Sequence, residues 1–203
     1  VAEGARSESF LLRVIPAAGD PAPPQDRRIE LWGGADYPLG TIGLAAGQPV
    51  SGVSLDTDGD PVPAYLRAWP SIPVGGAPLL LGETFAGADG VYDLRLLLQE
   101  YELLVVPEDA DRAPYFLTGV AAGDIPAATV LTSGDAVTGT VVDGAGDPVA
   151  GARVSLAVAG VPSSIAVTDA AGAFALEVRA GGPVSVSVIP PDASGLPQLE
   201  LAA

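Results

Sequence analysis

Apolar and polar residues alternate in short runs along this chain. In Arg153–Ala159, Val154, Leu156 and Val158 alternate with Arg153, Ser155 and Ala157. In Phe174–Val178, Phe174, Leu176 and Val178 alternate with Ala175 and Glu177, and in Val184–Val188 three valines alternate with Ser185 and Ser187. A period of two with polar alternates puts one side of a strand in a core and the other in water. Between the runs stand 26 Gly and 20 Pro, spread out rather than clustered, the punctuation of many turns. Asp143–Pro148 and Asp169–Gly172 read as hairpin turns in which glycine supplies positive φ. No window shows clean helical spacing. Leu94–Leu104 is ambiguous, and its match to Leu176–Val188 argues for two strands. The pattern predicts an all-β chain.

The runs also repeat. Val50-Ser-Gly-Val-Ser-Leu-Asp56 continues to Gly59-Asp-Pro-Val62, and Val137-Thr-Gly-Thr-Val-Val-Asp143 continues to Gly146-Asp-Pro-Val149. Gly90-Val-Tyr-Asp-Leu94 stands beside Gly172-Ala-Phe-Ala-Leu176. An alternating strand ending in Pro recurs at Phe10–Pro16, Tyr101–Pro107 and Val184–Pro190, and Asp36-Tyr-Pro-Leu-Gly-Thr-Ile42 matches Asp124-Ile-Pro-Ala-Ala-Thr-Val130. The order of these landmarks makes residues 1–47 the C-terminal half of a module, 48–134 a complete module and 135–203 a third module without the Asp-x-Pro-x-x-Thr tail. The natural chain is therefore expected to extend in at least one direction. A start without Met, and no signal peptide at Val1–Leu12, read as a mature or excised fragment.

The stretch from Val137 to Leu156, then Thr168-Asp-Ala-Ala-Gly-Ala-Phe174, then Val186-Ser-Val-Ile-Pro-Pro191, resembles the carboxypeptidase regulatory-like domain. Such modules are similar to transthyretin and to the Cna protein B-type repeats of Gram-positive adhesins. The resemblance implies tandem Greek-key β-sandwiches of seven or eight strands. It covers Asp135–Leu201 well and Gln48–Leu131 more loosely. It implies little about function, because these modules serve as stalks, spacers, accessory domains and receptor plugs. The adhesin repeats carry intramolecular isopeptide bonds that need Lys and usually Asn; the sequence contains neither, so that cross-link is chemically excluded.

Composition sharpens the picture mostly by what is missing. A chain of 203 residues, 48% of them hydrophobic, can bury real cores. It has no Cys, His, Met, Lys or Asn. Thiolate and imidazole metal sites, Ser-His triads, Cys nucleophiles, Schiff bases and the P-loop lysine are thereby removed. Carboxylates, Tyr, Ser/Thr and Arg remain, in no motif that marks catalysis, so the chain is expected not to be an enzyme. The nine basic residues are all Arg, and with abundant Ala, Gly, Pro and Val this fits a GC-rich bacterial genome. A net charge of −16 disfavours nucleic acid and anionic membranes as partners. No apolar run approaches the roughly 18 residues that span a bilayer.

Three candidate sites follow. Asp56, Asp58 and Asp60 put carboxylates on one Gly-containing turn, the ligand type that Ca²⁺ takes; the plain alternative is a hairpin turn with solvated Asp. Otherwise no cofactor is expected. A one-residue gap after Pro63 aligns Ala64 with Ala152 and sends Tyr65, Arg67 and Trp69 outward, an aromatic–guanidinium–aromatic stripe suited to a sugar ring or a protein partner. Without the gap the phase reverses and the aromatics enter the core. Trp32 faces outward if Ile29 and Leu31 face inward, and would cover a module junction. The expected function is a non-enzymatic scaffold of the bacterial cell surface or extracellular space. Its modules would form a rod, stalk or fibre, with neighbouring modules or other copies of the chain as partners. The alternatives are a polysaccharide- or protein-binding adhesion module and an accessory domain of a larger secreted enzyme or transporter.

Overall fold

A computed structural model describes residues 7–17, 20–32, 38–71 and 82–202. The first two residues of the Asp36–Ile42 landmark and the side chain of Trp32 lie outside them, so the orientation expected for Trp32 is not described. The chain is all-β, as its alternation predicts. Strands β1 (Ser7–Val14) and β2 (Gln25–Trp32) pair antiparallel and form a two-stranded sheet of their own. Phe10 and Leu11 stay about half exposed on this hairpin (45% and 54%). Its connecting turn docks on the next module. Pro23 is fully buried, the Gly47 N–H donates to the Pro21 carbonyl at 2.8 Å, and Gln25 reaches the Ala45 carbonyl at 3.0 Å.

Residues 48–131 form a sandwich. Its strands are β3 (Gln48–Leu55), β4 (Ala64–Pro70), β5 (Gly82–Ala86), β6 (Val91–Leu96), β7 (Glu100–Pro107), β8 (Tyr115–Ala121) and β9 (Ala128–Val130). One sheet has the order β6-β3-β9 and the other β5-β4-β7-β8. The pair β3–β9 is parallel; the other ladders are antiparallel. The ambiguous stretch 94–104 is the end of β6 and the start of β7, two strands, as its repeat partner implies. Between the sheets lie Val50, Leu66, Tyr92, Leu96, Tyr101, Leu103 and Leu131. Tyr101 is fully buried, and its hydroxyl closes the β6–β7 turn by accepting the Leu97 N–H at 2.9 Å and donating to the Leu97 carbonyl at 3.2 Å.

Residues 135–202 form a second sandwich from β10 (Asp135–Thr140), β11 (Arg153–Val158), β12 (Val161–Pro162), β13 (Ala166–Val167), β14 (Ala173–Val178), β15 (Val184–Ile189) and β16 (Leu199–Ala202). Strands β10 and β14 make a two-stranded sheet facing one of five, in which β11 and β15 are central. Of the apolar phase that the alternation selects, Val154, Leu156, Val158, Leu176, Val178 and Val188 are buried in the core, and Phe174, Val184 and Val186 pack against it partly buried. The internal repeat has a packing reason. In each sandwich an aromatic ring lies over a glycine of the neighbouring strand, Tyr92 over Gly52 and Phe174 over Gly139. A Cβ on Gly139 would stand 2.8 Å from the Phe174 ring, so a side chain there would displace it.

Candidate functional site

Strand β4 carries the stripe singled out in the sequence. Leu66 and Ala68 are fully buried while Tyr65, Arg67 and Trp69 lie on the outer face, the phase given by the gap after Pro63. The three side chains do not act together. The Arg67 guanidinium sits over the Tyr65 ring, 4.8 Å from its centre. The Tyr65 hydroxyl donates to Glu83 at 2.6 Å, and this bond, with some desolvation, raises the phenol above its ordinary value. Trp69 instead stacks on Phe116 of β8 at 5.9 Å, and the Arg179 guanidinium from the following sandwich covers the Phe116 ring at 5.6 Å. Trp69 thus belongs to the junction between the sandwiches.

Tyr65 and Arg67 line a groove of about 480 Å³ that runs between the two sandwiches. Phe85, half exposed, stands directly across the ladder from Tyr65. The far wall comes from Pro162–Ile165, the turn between β12 and β13. Ser164 in this wall is buried, and among the described residues its hydroxyl has no hydrogen-bond partner. The groove therefore offers aromatic faces, a guanidinium and a carboxylate, the mixture that binds a sugar ring or an extended peptide. Sequence reading missed Phe85. Its signal is an aromatic at the outward phase of Gly82–Ala86, where Gly82 and Ala86 take the inward one.

The acidic turn has a different use. One Asp56 carboxylate oxygen accepts the N–H groups of Asp58 and Asp60, both at 2.9 Å, and the other meets Arg112 at 3.3 Å. The bond from the Asp60 N–H, the largest effect, holds the Asp56 carboxyl below its ordinary range, with help from Asp58 and Arg112. Asp143 makes the same turn, accepting from Ala145 at 2.9 Å and Asp147 at 3.0 Å; Asp169 repeats it with Ala171 and Ala173. Asp56, Asp58 and Asp60 are not brought together around a common point. Among the described residues no group of three or more acidic side chains is arranged to hold a metal. The side chain of Asp56 closes its own turn.

Arg112 links this turn to the junction. The loop after β7 that carries it also carries Ala110, whose carbonyl accepts the Glu177 N–H at the free edge of β14 at 2.8 Å. Ala110 packs on the core of the following sandwich. The Gly134 N–H donates to the Glu177 carboxylate, and Ala113 donates to Thr132 at 3.0 Å. The junction is thus held on both sides of the short connection 131–134.

The sequence of the second sandwich matches one known family, and the match spans residues 136–198. The family is the carboxypeptidase regulatory-like domain, to which this segment is similar. No curated protein matches the chain in sequence. Among solved structures it is similar to a streptococcal ancillary pilin, at 15% identity and a TM-score of 0.29 over 95% of this chain and 71% of that one. It is similar also to the shaft pilin SpaA of Lactobacillus rhamnosus GG, at 11% identity and a TM-score of 0.29 over 78% of this chain and 94% of that one. A third is the Bacillus anthracis TIE protein, at 14% identity and a TM-score of 0.28 over 89% of this chain and 34% of that one. Scores this low place no residue of this chain in those proteins, and the sandwich fold stands on the strand ladders themselves. The second sandwich supplies the Ser164 wall of the groove; the preceding sandwich supplies the aromatic wall.

Proposed function

We propose that this chain is a non-enzymatic structural segment of a secreted or surface-exposed bacterial protein, in which sandwiches stack end on end as a rod of fixed geometry. The observation that carries this reading is the junction. A main-chain bond from Glu177 to Ala110, which also packs against the next core, and the Arg179 guanidinium over the Phe116 ring hold the sandwiches together, and the Gly134–Glu177 contact fixes the connection 131–134 to the second of them. A flexible linker would leave such groups to water. The carboxypeptidase regulatory-like family and the absence of His, Cys and Lys support a role without catalysis. Among the described residues no helix is long and apolar enough to cross a membrane. Small-angle scattering tests the rod. The expected profile is extended and rigid, and Arg112→Ala with Glu177→Ala broadens it; a compact profile, or one indifferent to the double variant, overturns the reading.

The exposed Phe85 beside Tyr65 and Arg67 in the groove lining favours a second reading, a binding groove for polysaccharide or a protein segment at the same junction. Tyr65→Ala and Phe85→Ala should each abolish retention on a glycan array or pull-down. Trp69→Ala should act only through the junction.

A further inference from the structure

The groups that line the groove between the sandwiches are not equally free. Tyr65 is already in use. The Arg67 guanidinium covers its ring at 4.8 Å, and its hydroxyl is spent on Glu83 at 2.6 Å. Arg67 is not in use. It stands across the ladder from Glu83, yet that carboxylate is bound to Tyr65, and among the described residues Arg67 joins no ion pair. Its side chain is exposed in the groove lining, supported by the tyrosine ring. The open apolar surfaces are Phe85, 52% exposed, and Ile165 of the far wall, 46% exposed. Glu108, also exposed, adds a carboxylate.

Side chains must do the recognising. Strands β4 and β11, which bring Tyr65, Arg67 and Ser155 to the groove, are central in their sheets and paired on both sides. Their main-chain groups are spent in ladders, so an extended peptide finds no strand edge on either to pair with. Charge narrows the ligand further. The guanidinium of Arg67 is set against the carboxylates of Glu83 and Glu108, so the charges around the groove oppose one another. The net charge of −16 repels a polyanion at long range. Arg67 already holds the place over the Tyr65 ring that a cationic ligand would take. What fits is an uncharged ligand with an apolar face and several hydroxyls.

We propose that this groove binds a neutral polysaccharide, with the C–H face of a pyranose ring on Phe85 and its hydroxyls on Arg67 and Glu108. This ligand class holds only if the groove is the binding site of the second reading. A guanidinium presents paired N–H donors and a carboxylate paired acceptors, a match to neighbouring hydroxyls that needs no charge on the ligand. The aromatic face supplies the stacking surface. A groove of about 480 Å³ has the size of a small-ligand site, and only one of its walls belongs to each sandwich, so the ligand touches both.

A glycan array carrying neutral, uronic-acid and amino-sugar hexasaccharides, together with an array of hexapeptides, tests this on the whole chain. Retention is expected on neutral hexasaccharides and to be unchanged between low and high salt, as it must be for an uncharged ligand. Calorimetry with the retained hexasaccharide then reads the variants. Phe85→Ala should lower the affinity by roughly tenfold or more, which the array reads as loss. Arg67→Lys keeps the charge but not the planar fork, and should weaken binding by a similar factor. Retention confined to uronic-acid, amino-sugar or peptide probes overturns the neutral class and leaves the groove standing. Retention of no probe, or an affinity for the neutral hexasaccharide that neither variant moves, overturns the groove itself and the ligand class with it. Phe85 and Arg67 are exposed, so both variants fold, and circular dichroism confirms it.

Discussion

The two sandwiches share a sequence pattern, yet they are not equally closed. In the first, Val50 and Tyr92 are 7% and 1% exposed, Ser54 is buried, and β9 seals the sheet above them. In the second, Val137, Val141 and Phe174 occupy the same places half-buried, and β10 ends its sheet. The residue chosen at Ser54 fits this difference. Its buried hydroxyl donates to Val62 and Gly90, whereas Val141 has no polar side chain to satisfy. In the first sandwich, closure is therefore a property of its tail strand as much as of its core.

Removing the seal should make the first sandwich resemble the second. Leu131 is buried, so Leu131→Ala is expected to cost about 2–5 kcal/mol by lost burial and a residual cavity. Differential scanning calorimetry should show the transition of residues 48–131 falling while that of 135–202 holds. If both transitions fall together, the two sandwiches melt as one unit and the contrast between them is wrong. A milder variant sharpens the comparison. The Tyr92 hydroxyl donates to the Pro126 carbonyl at 3.2 Å and so ties the tail to β6. The equivalent Phe174 has no hydroxyl. Tyr92→Phe should cost about 0.5–1.5 kcal/mol and speed amide exchange in Ala128–Val130. Unchanged exchange would show that the tail is held by its ladder alone.

Much of this architecture is legible in the sequence, because alternation reports burial directly. Val154, Leu156 and Val158 are buried as read, and the outward phase of Tyr65, Arg67 and Trp69 follows from one gap after Pro63. Other features are not local. Strand β9 pairs with β3 across more than seventy residues, and a three-residue strand has too short a pattern to declare itself. The split of the stripe, with Tyr65 and Arg67 in the groove and Trp69 on Phe116, depends on how the second sandwich leans on the first through Arg179 and Pro162–Ile165. The acidic turn is ambiguous in sequence for a different reason. Asp is chosen at Asp56, Asp143 and Asp169 because its short carboxylate reaches the N–H groups two and four residues on, and that need leaves the same trace in sequence as a cation ligand.

The smallest effect separates the two acidic turns themselves. Asp56 and Asp143 both have carboxyl groups held below the ordinary 3.8, chiefly by the N–H four residues on, from Asp60 and Asp147 respectively. A depressed folded pKa stabilises the fold above the unfolded value, and that contribution is lost as pH falls through the folded one. Both turns should therefore hold at neutral pH and loosen only below 3.8. Arg112 reaches Asp56 and adds to its depression, while the Asp143 carboxyl is lowered by main-chain bonds from Asp147, Ala145 and Gly146, against the opposing effect of burial. Arg112→Ala should thus raise the Asp56 midpoint in a carbon-detected NMR titration and leave Asp143 in place. Because the Arg112 loop also carries Ala110 to Glu177, the same variant should quicken exchange of the Glu177 amide. A shift at Asp56 without a response at Glu177 would separate the acidic turn from the junction, and Arg112 would then serve its own sandwich alone.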